Sequence, residues 1–177
     1  NRRPGLFRKN YSYMHFLGYD DSVHRREMDI LKKQIKEVSG LIIVASDNRE
    51  DAISISKVNA GIAGVEHLIR FQTCNFEDTA LPEDNPGVIY FNPEYGERLG
   101  EISALEKTYA AIGDFLKKKC QGYMGYIFTA NLELAKKIGL KASRRIEFYT
   151  AKLDCRLLEF EMYSGTRRAE KASTVQS

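Results

Sequence analysis

The chain has 177 residues, the length of one ordinary domain at about 100 to 200 residues each. Hydrophobic residues at 43% and charged residues at 29% exclude wholesale disorder and the collagen-like and coiled-coil classes. Lysine and arginine total 27 against 24 aspartates and glutamates, a net charge of +3, which does not by itself mark a nucleic-acid partner.

Asn1 is not an initiator, and Asn1-Arg2-Arg3-Pro4-Gly5 reads as loop, so the sequence is expected to begin within a longer parent protein. From Asp20 onward, Met28, Leu31, Ile35 and Val38 recur at the spacing of an amphipathic helix, which Ser39-Gly40 ends. The apolar run Leu41 to Ala45 has the character of a strand covered on both faces of a parallel sheet. A helix is predicted over about 50–63, with Ala52, Ile55, Asn59 and Ile62 on one face, and a strand over about 68–73. A strand at 87–91, a helix at about 103–118, a strand at 123–129 and a short helix near 132–138 follow. Strand-like stretches at 145–151 and 155–163 flank Lys152-Leu153-Asp154 closely enough to form a hairpin. This alternation predicts an α/β domain with a mainly parallel sheet, helices on both faces and a closing antiparallel hairpin. Residues 166–177 are small, polar and charged, and read as a flexible tail.

Cys74, Cys120 and Cys155 are odd in number and far apart, so neither a disulfide framework nor a CxxC motif is visible, and a reducing, cytoplasmic compartment is expected. His15, His24 and His67 lack metal-ligand spacing, so no metal is expected. Leu41 to Ala45 is the longest apolar run, far below the roughly 20 residues of a membrane helix, and no membrane association is expected.

In a parallel sheet the loops after the strands face the ligand, which singles out Ser46-Asp47-Asn48, Cys74-Asn75-Phe76 and Asn92-Pro93-Glu94-Tyr95. A carboxylate at Asp47 is placed to accept from both ribose hydroxyls of a nucleotide; equally, Asp47 or Asn48 could cap the next helix. Asn75 offers an amide to an adenine edge and Phe76 a ring to its face, with ordinary loop and core roles as the alternative. Asn92, Pro93 and Tyr95 put an amide, a stiffened backbone carbonyl and a ring together at a strand end. Such a set can accept from an exocyclic NH2 and stack on its base, or it is a proline turn with Tyr95 packed as a hydrophobe.

The segment Asn92-Pro93-Glu94-Tyr95-Gly96-Glu97-Arg98-Leu99 resembles the NPPYGERL signature of the THUMP-associated RNA methyltransferases, especially those that methylate the 2-amino group of a guanine in large-subunit ribosomal RNA. Ser46-Asp47-Asn48 resembles their second-strand acidic motif, Asn59-Ala60-Gly61-Ile62-Ala63-Gly64 their NAxxAG helix end, and Leu153-Asp154-Cys155-Arg156-Leu157 their late hairpin. The likeness runs in order from about Gly18 to Tyr163.

The resemblance implies a Rossmann-like fold, S-adenosylmethionine as cofactor and RNA as partner. It assigns Asp47 to the ribose, Asn75 and Phe76 to the adenine, Asn92 and the Pro93 carbonyl to the target amine, and Tyr95 to stacking on the base. Glu94, which stands where the family has a second proline, and Arg98 fall on the substrate side. No glycine-rich D/E-x-x-x-G-x-G loop occurs in the 177 residues, so 1–165 reads as the later part of a catalytic domain. Its first strand, expected centrally between the strands at 41–45 and 87–91, belongs to an upstream segment that completes it. A DNA adenine amino-methyltransferase shares the Asn-Pro-x-aromatic logic, and a non-catalytic RNA-binding fragment is a third reading. The pairs and triplets Arg2-Arg3, Arg25-Arg26, Lys117-Lys118-Lys119, Arg144-Arg145 and Arg167-Arg168 are candidate phosphate contacts, or ordinary solvated charge.

Overall fold

A computed structural model describes residue 6 and residues 8–36, 40–82, 86–96, 102–150 and 153–163. The expected tail at 166–177, Glu97-Arg98-Leu99 and the terminal basic pairs lie outside them. The chain divides into two compact units, Asn1–Leu81 and Pro82–Ser177.

In the first unit α1 spans Asp21–Lys33, capped by Asp20, whose carboxylate accepts from the Ser22 and Val23 amides at 2.8 and 3.4 Å. These bonds satisfy two of the amides that a helix start leaves without partners. The helix is shorter than its apolar stripe: it ends before Ile35, and none of its residues is buried.

β1 is Ile43–Asp47 and pairs in parallel with β2, Ile69–Thr73, from Ile43 opposite Ile69 to Asp47 opposite Thr73. The apolar run predicts a strand two residues earlier. Leu41 and Ile42 instead lie outside the ladder at 56% and 46% exposure, because pairing with β2 sets the register and draws Ser46 and Asp47 in.

Between these strands α2 covers Glu50–Ile62. Its buried residues are Ile53 and Ala60, at 5% and 7% exposure, whereas Ile55 and Ile62 of the expected face are 60% and 55% exposed. Apolar residues surround this helix, so periodicity offers more than one face, and packing selects the stripe through Ile53 and Ala60.

The second unit is a four-stranded sheet in the order β3-β4-β6-β5, with β3 at Val88–Phe91, β4 at Met124–Thr129, β5 at Arg144–Thr150 and β6 at Leu153–Glu161. β3 and β4 are parallel, and β6 runs antiparallel between β4 and β5, as the predicted hairpin requires. Because β5 and β4 run the same way, Thr150 and Leu153, the facing ends of β5 and β6, lie toward the carboxyl end of β4. Among the described residues β1 has a ladder only with β2, and β3 only with β4.

α3, Ile102–Lys119, buries Leu105, Tyr109, Ile112, Gly113, Phe115 and Leu116, a single helical stripe. Phe115 meets Phe91 edge-on at 6.1 Å, and the absence of a side chain at Gly125 admits Leu116 to the sheet. Full burial of such side chains stabilises by about 1.5–3 kcal/mol each. α4, Leu132–Lys137, is short; Leu134 and the following Ile138 anchor it in the core.

The three cysteines are free, and burial pushes the Cys120 thiol up to about 11. At pH 8, iodoacetamide is therefore expected to alkylate half-buried Cys74 well before Cys120 and Cys155, both of which are buried. Peptide mass spectrometry over time reads this order, and equal rates at all three sites would contradict the packing. Among the described residues no helix is long and apolar enough to cross a membrane, and no group of three or more metal-ligating side chains is assembled.

Candidate active site

In the first unit the carboxyl ends of β1 and β2 form one edge. Asp47 closes β1, and its carbonyl accepts from the Cys74 amide at 3.0 Å, carrying the parallel pairing one step past Thr73. One Asp47 carboxylate oxygen accepts from the Arg49 amide at 2.8 Å, a local turn that orients the side chain. Arg49 itself occupies the cap position of α2, with no side-chain cap, so neither Asp47 nor Asn48 plays the capping role. The second Asp47 oxygen has no partner among the described residues, and the side chain is exposed.

Past β2, Asn75 opens a short 3-10 turn, Phe76–Asp78. Its carbonyl accepts from the Asp78 amide at 2.9 Å and its Nδ2 donates to Glu77 at 3.2 Å, so its Oδ1 is the remaining acceptor. Phe76 is half-buried beside it. Ser46 and Thr79 share a hydroxyl hydrogen bond of 2.7 Å, and Gln72 accepts from the Ala80 amide at 3.1 Å, tying this turn back to both strands. The structure thus brings Asp47, Asn75 and Phe76 to neighbouring strand ends and keeps two of their acceptor oxygens available. Those are the groups a ribose and an adenine amine require.

In the second unit β3 runs into Asn92-Pro93-Glu94-Tyr95-Gly96. The Tyr95 hydroxyl donates to Asn92 Oδ1 at 2.5 Å, and its ring meets Phe128 edge-on at 6.5 Å. Burial raises the Tyr95 pKa, helped by Cys155, Tyr90 and Tyr109, so the phenol keeps its proton at neutral pH. Gly96 holds φ at +71°, and a Cβ there would lie 2.9 Å from Leu105 Cδ1. The Glu94 side chain is exposed.

Three residues outside the sequence-derived set hold this loop. Tyr109 of α3 donates from its hydroxyl to the Glu94 carbonyl at 3.2 Å, and Asn131 Nδ2 donates to the Tyr95 carbonyl at 2.9 Å. Thr129, at the end of β4, lies 2.9 Å from the Tyr109 hydroxyl and accepts from the Asn131 amide at 3.0 Å. The signal for them was positional: Thr129-Ala130-Asn131 also follows a parallel strand, so the strand-end rule applies to it equally.

The described basic clusters lie at the surface, several of them in exposed ion pairs. Arg25 pairs with Asp21, Arg26 with Glu27, and both Lys117 and Lys118 with Asp114. Arg144 and Arg145 are exposed on β5.

Parallel strand pairs crossed by helices, an acidic residue ending one strand and an Asn-Pro-x-Tyr loop ending another define a Rossmann-like methyltransferase domain. A family model for the RMKL-like methyltransferase domain matches residues 1–159. The chain belongs to that family. The ribosomal RNA large subunit methyltransferase K/L of Syntrophotalea carbinolica is 35% identical over 169 residues, which cover 90% of this chain and 23% of that protein. The solved structure of a possible methylase from Clostridium difficile 630 superposes with a TM-score of 0.75 at 24% identity, covering 91% of this chain and 42% of the other. SMU.472 complexed with SAH superposes with a TM-score of 0.73 at 22% identity, covering 90% and 42%. The chain therefore spans less than half the length of each of these proteins.

Proposed function

We propose that this domain serves transfer of a methyl group from S-adenosylmethionine to the exocyclic 2-amino group of a guanine in large-subunit ribosomal RNA. One observation carries the reading: the Glu94 and Tyr95 carbonyls are bonded to Tyr109 and Asn131, while on the two preceding residues the Pro93 carbonyl and the second lone pair of Asn92 Oδ1, whose first accepts from the Tyr95 hydroxyl, are acceptors for a ligand. Two acceptors on successive residues match the two N–H donors of one amino group. The name of the Syntrophotalea relative supports ribosomal RNA as the source of that amine.

Asp47, with an available carboxylate oxygen, and Asn75, with an available amide oxygen, fit the adenosine part of the cofactor. The cofactor supplies an electrophilic methyl carried on a sulfonium. The residues that hold its methionine end are expected upstream of the 177. Asn92 and Pro93 fix the amine through its two N–H donors, and their oxygens stabilise the positive charge that grows on nitrogen. The carbon–nitrogen bond forms as the carbon–sulfur bond breaks, its electron pair returning to sulfur, and the nitrogen then gives up one proton to water. Tyr95, half-buried, offers its ring to the base while Phe128 meets the ring edge-on. Glu94 and Arg98 are assigned to the RNA side.

Two experiments test this. The full-length protein with methyl-labelled cofactor is expected to label guanine-containing ribosomal RNA and not DNA; label on DNA adenine, or on neither, would overturn the reading. Asp47→Ala is expected to weaken S-adenosylhomocysteine binding by about 1.5–3 kcal/mol, the range for hydrogen bonds to a charged group, and to leave RNA affinity unchanged. Calorimetry with unaltered cofactor affinity would remove Asp47 from the site.

A further inference from the structure

Resting on the proposed function, we infer that Asn131 and Tyr109, joined through Thr129, are positioning residues for methyl transfer. They clamp the Glu94 and Tyr95 carbonyls so that the Pro93 carbonyl and Asn92 Oδ1 are the acceptors presented to the amine.

Proton counting gives the network a single direction. The Glu94 carbonyl can only accept, so the one phenol proton of Tyr109 goes to it. The 2.9 Å bond between Tyr109 and Thr129 must then be donated by the threonine. Thr129 Oγ1 also lies 3.5 Å from the Asn131 carbonyl, a longer contact than its 2.9 Å to Tyr109, so its proton goes to Tyr109 while its oxygen accepts from the Asn131 amide. The order runs from Asn131 N–H to the Thr129 hydroxyl, to the Tyr109 hydroxyl, to the Glu94 carbonyl. In parallel the Asn131 side chain reaches the next carbonyl, that of Tyr95. Tyr109 and Thr129 are both 0% exposed, and Thr129 is the buried polar residue of this core among the described residues. A buried polar group without partners is costly, so the network holds its geometry firmly.

The loop has need of such a clamp. Pro93 fixes φ at one residue only, and Glu94 carries no ring restraint. Rotation of the peptide after Glu94 or Tyr95 would swing the neighbouring Pro93 carbonyl and Asn92 away from a common amine. Asn131 does two separable jobs, because its Oδ1 caps α4 through the Glu133 and Leu134 amides while its Nδ2 holds the loop.

That separation makes the test. Asn131→Asp keeps a good helix cap but loses the donor to Tyr95. In the full-length protein it is expected to lower the single-turnover methylation rate about 10- to 100-fold, as for a misplacement of about 1 Å. Cofactor affinity and RNA affinity should stay at wild-type values, while the thermal midpoint falls by a few degrees because the Tyr95 carbonyl loses its partner. Tyr109→Phe removes the other clamp without touching the cap and is expected to act the same way, while Thr129→Ser restores the rate lost in Thr129→Val. Wild-type rates in both Asn131→Asp and Tyr109→Phe would overturn the clamp. So would losses that vanish once rates are normalised to folded protein titrated by S-adenosylhomocysteine. A wild-type protein that does not methylate guanine-containing RNA sinks the functional reading itself, an outcome distinct from an active wild type with indifferent clamp variants.

Discussion

Asn92→Ala in the full-length protein is expected to lower single-turnover methyl transfer by about 10²- to 10³-fold, the scale for removing one group aimed at developing charge. Affinity for S-adenosylhomocysteine should be unchanged, because Asn92 follows β3, whereas the residues proposed for the adenosine end β1 or follow β2. The side chain is exposed, and its hydrogen bond is to the Tyr95 hydroxyl, so its loss should not disturb the core. Tyr95→Phe provides the comparison. It removes the donor to Asn92 and keeps the ring, so a much smaller loss than for Asn92→Ala is expected. Near wild-type transfer by Asn92→Ala would reassign the amine to other acceptors.

The second large effect is structural. A Cβ at Gly113 would lie 1.9 Å from the Ile138 carbonyl oxygen and 2.8 Å from its carbonyl carbon. Because the obstruction is backbone, no side-chain rotation relieves it. Gly113→Ala must instead push α3 from the segment after α4, where Ile112, Leu116, Leu134 and Ile138 are all buried. A cost of about 3 kcal/mol is expected, at the upper end of overpacking, with a fall in the thermal midpoint of roughly 6–12 °C. The same shift would move Tyr109 and Asn131 relative to the loop, so transfer should fall with stability. An unaltered midpoint would show that the helices do not approach this closely.

The sequence was most legible where local chemistry decides the outcome. Asn131 caps α4, the stripe from Leu105 to Leu116 is one-sided, and the β5–β6 pair is long and closely spaced, so those elements form as expected, although β6 begins at Leu153 and takes Leu153 and Asp154 of the expected turn into the ladder. Legibility fails where partners decide. The β1 register follows from Ile69–Thr73, and the buried face of α2 cannot be chosen from a helix with apolar residues all round. In the site, side chains at strand ends could be picked out by position. The clamps could not, because their acceptors are the backbone carbonyls of Glu94 and Tyr95, which look alike in every sequence. Asn131 looks like a helix cap and is one; only the direction of its Nδ2 shows the second role.

The central claim is that Asn92 and Pro93 present one exocyclic amine of guanine for methylation. Its most direct test is nucleoside mass spectrometry on large-subunit ribosomal RNA methylated in vitro by the full-length protein, with the Asn92→Ala variant in parallel. The account predicts 2-methylguanosine in the wild-type digest and its loss in the variant. A methyl group on a ring nitrogen, on the ribose or on adenine would contradict it, as would 2-methylguanosine formed equally well without Asn92.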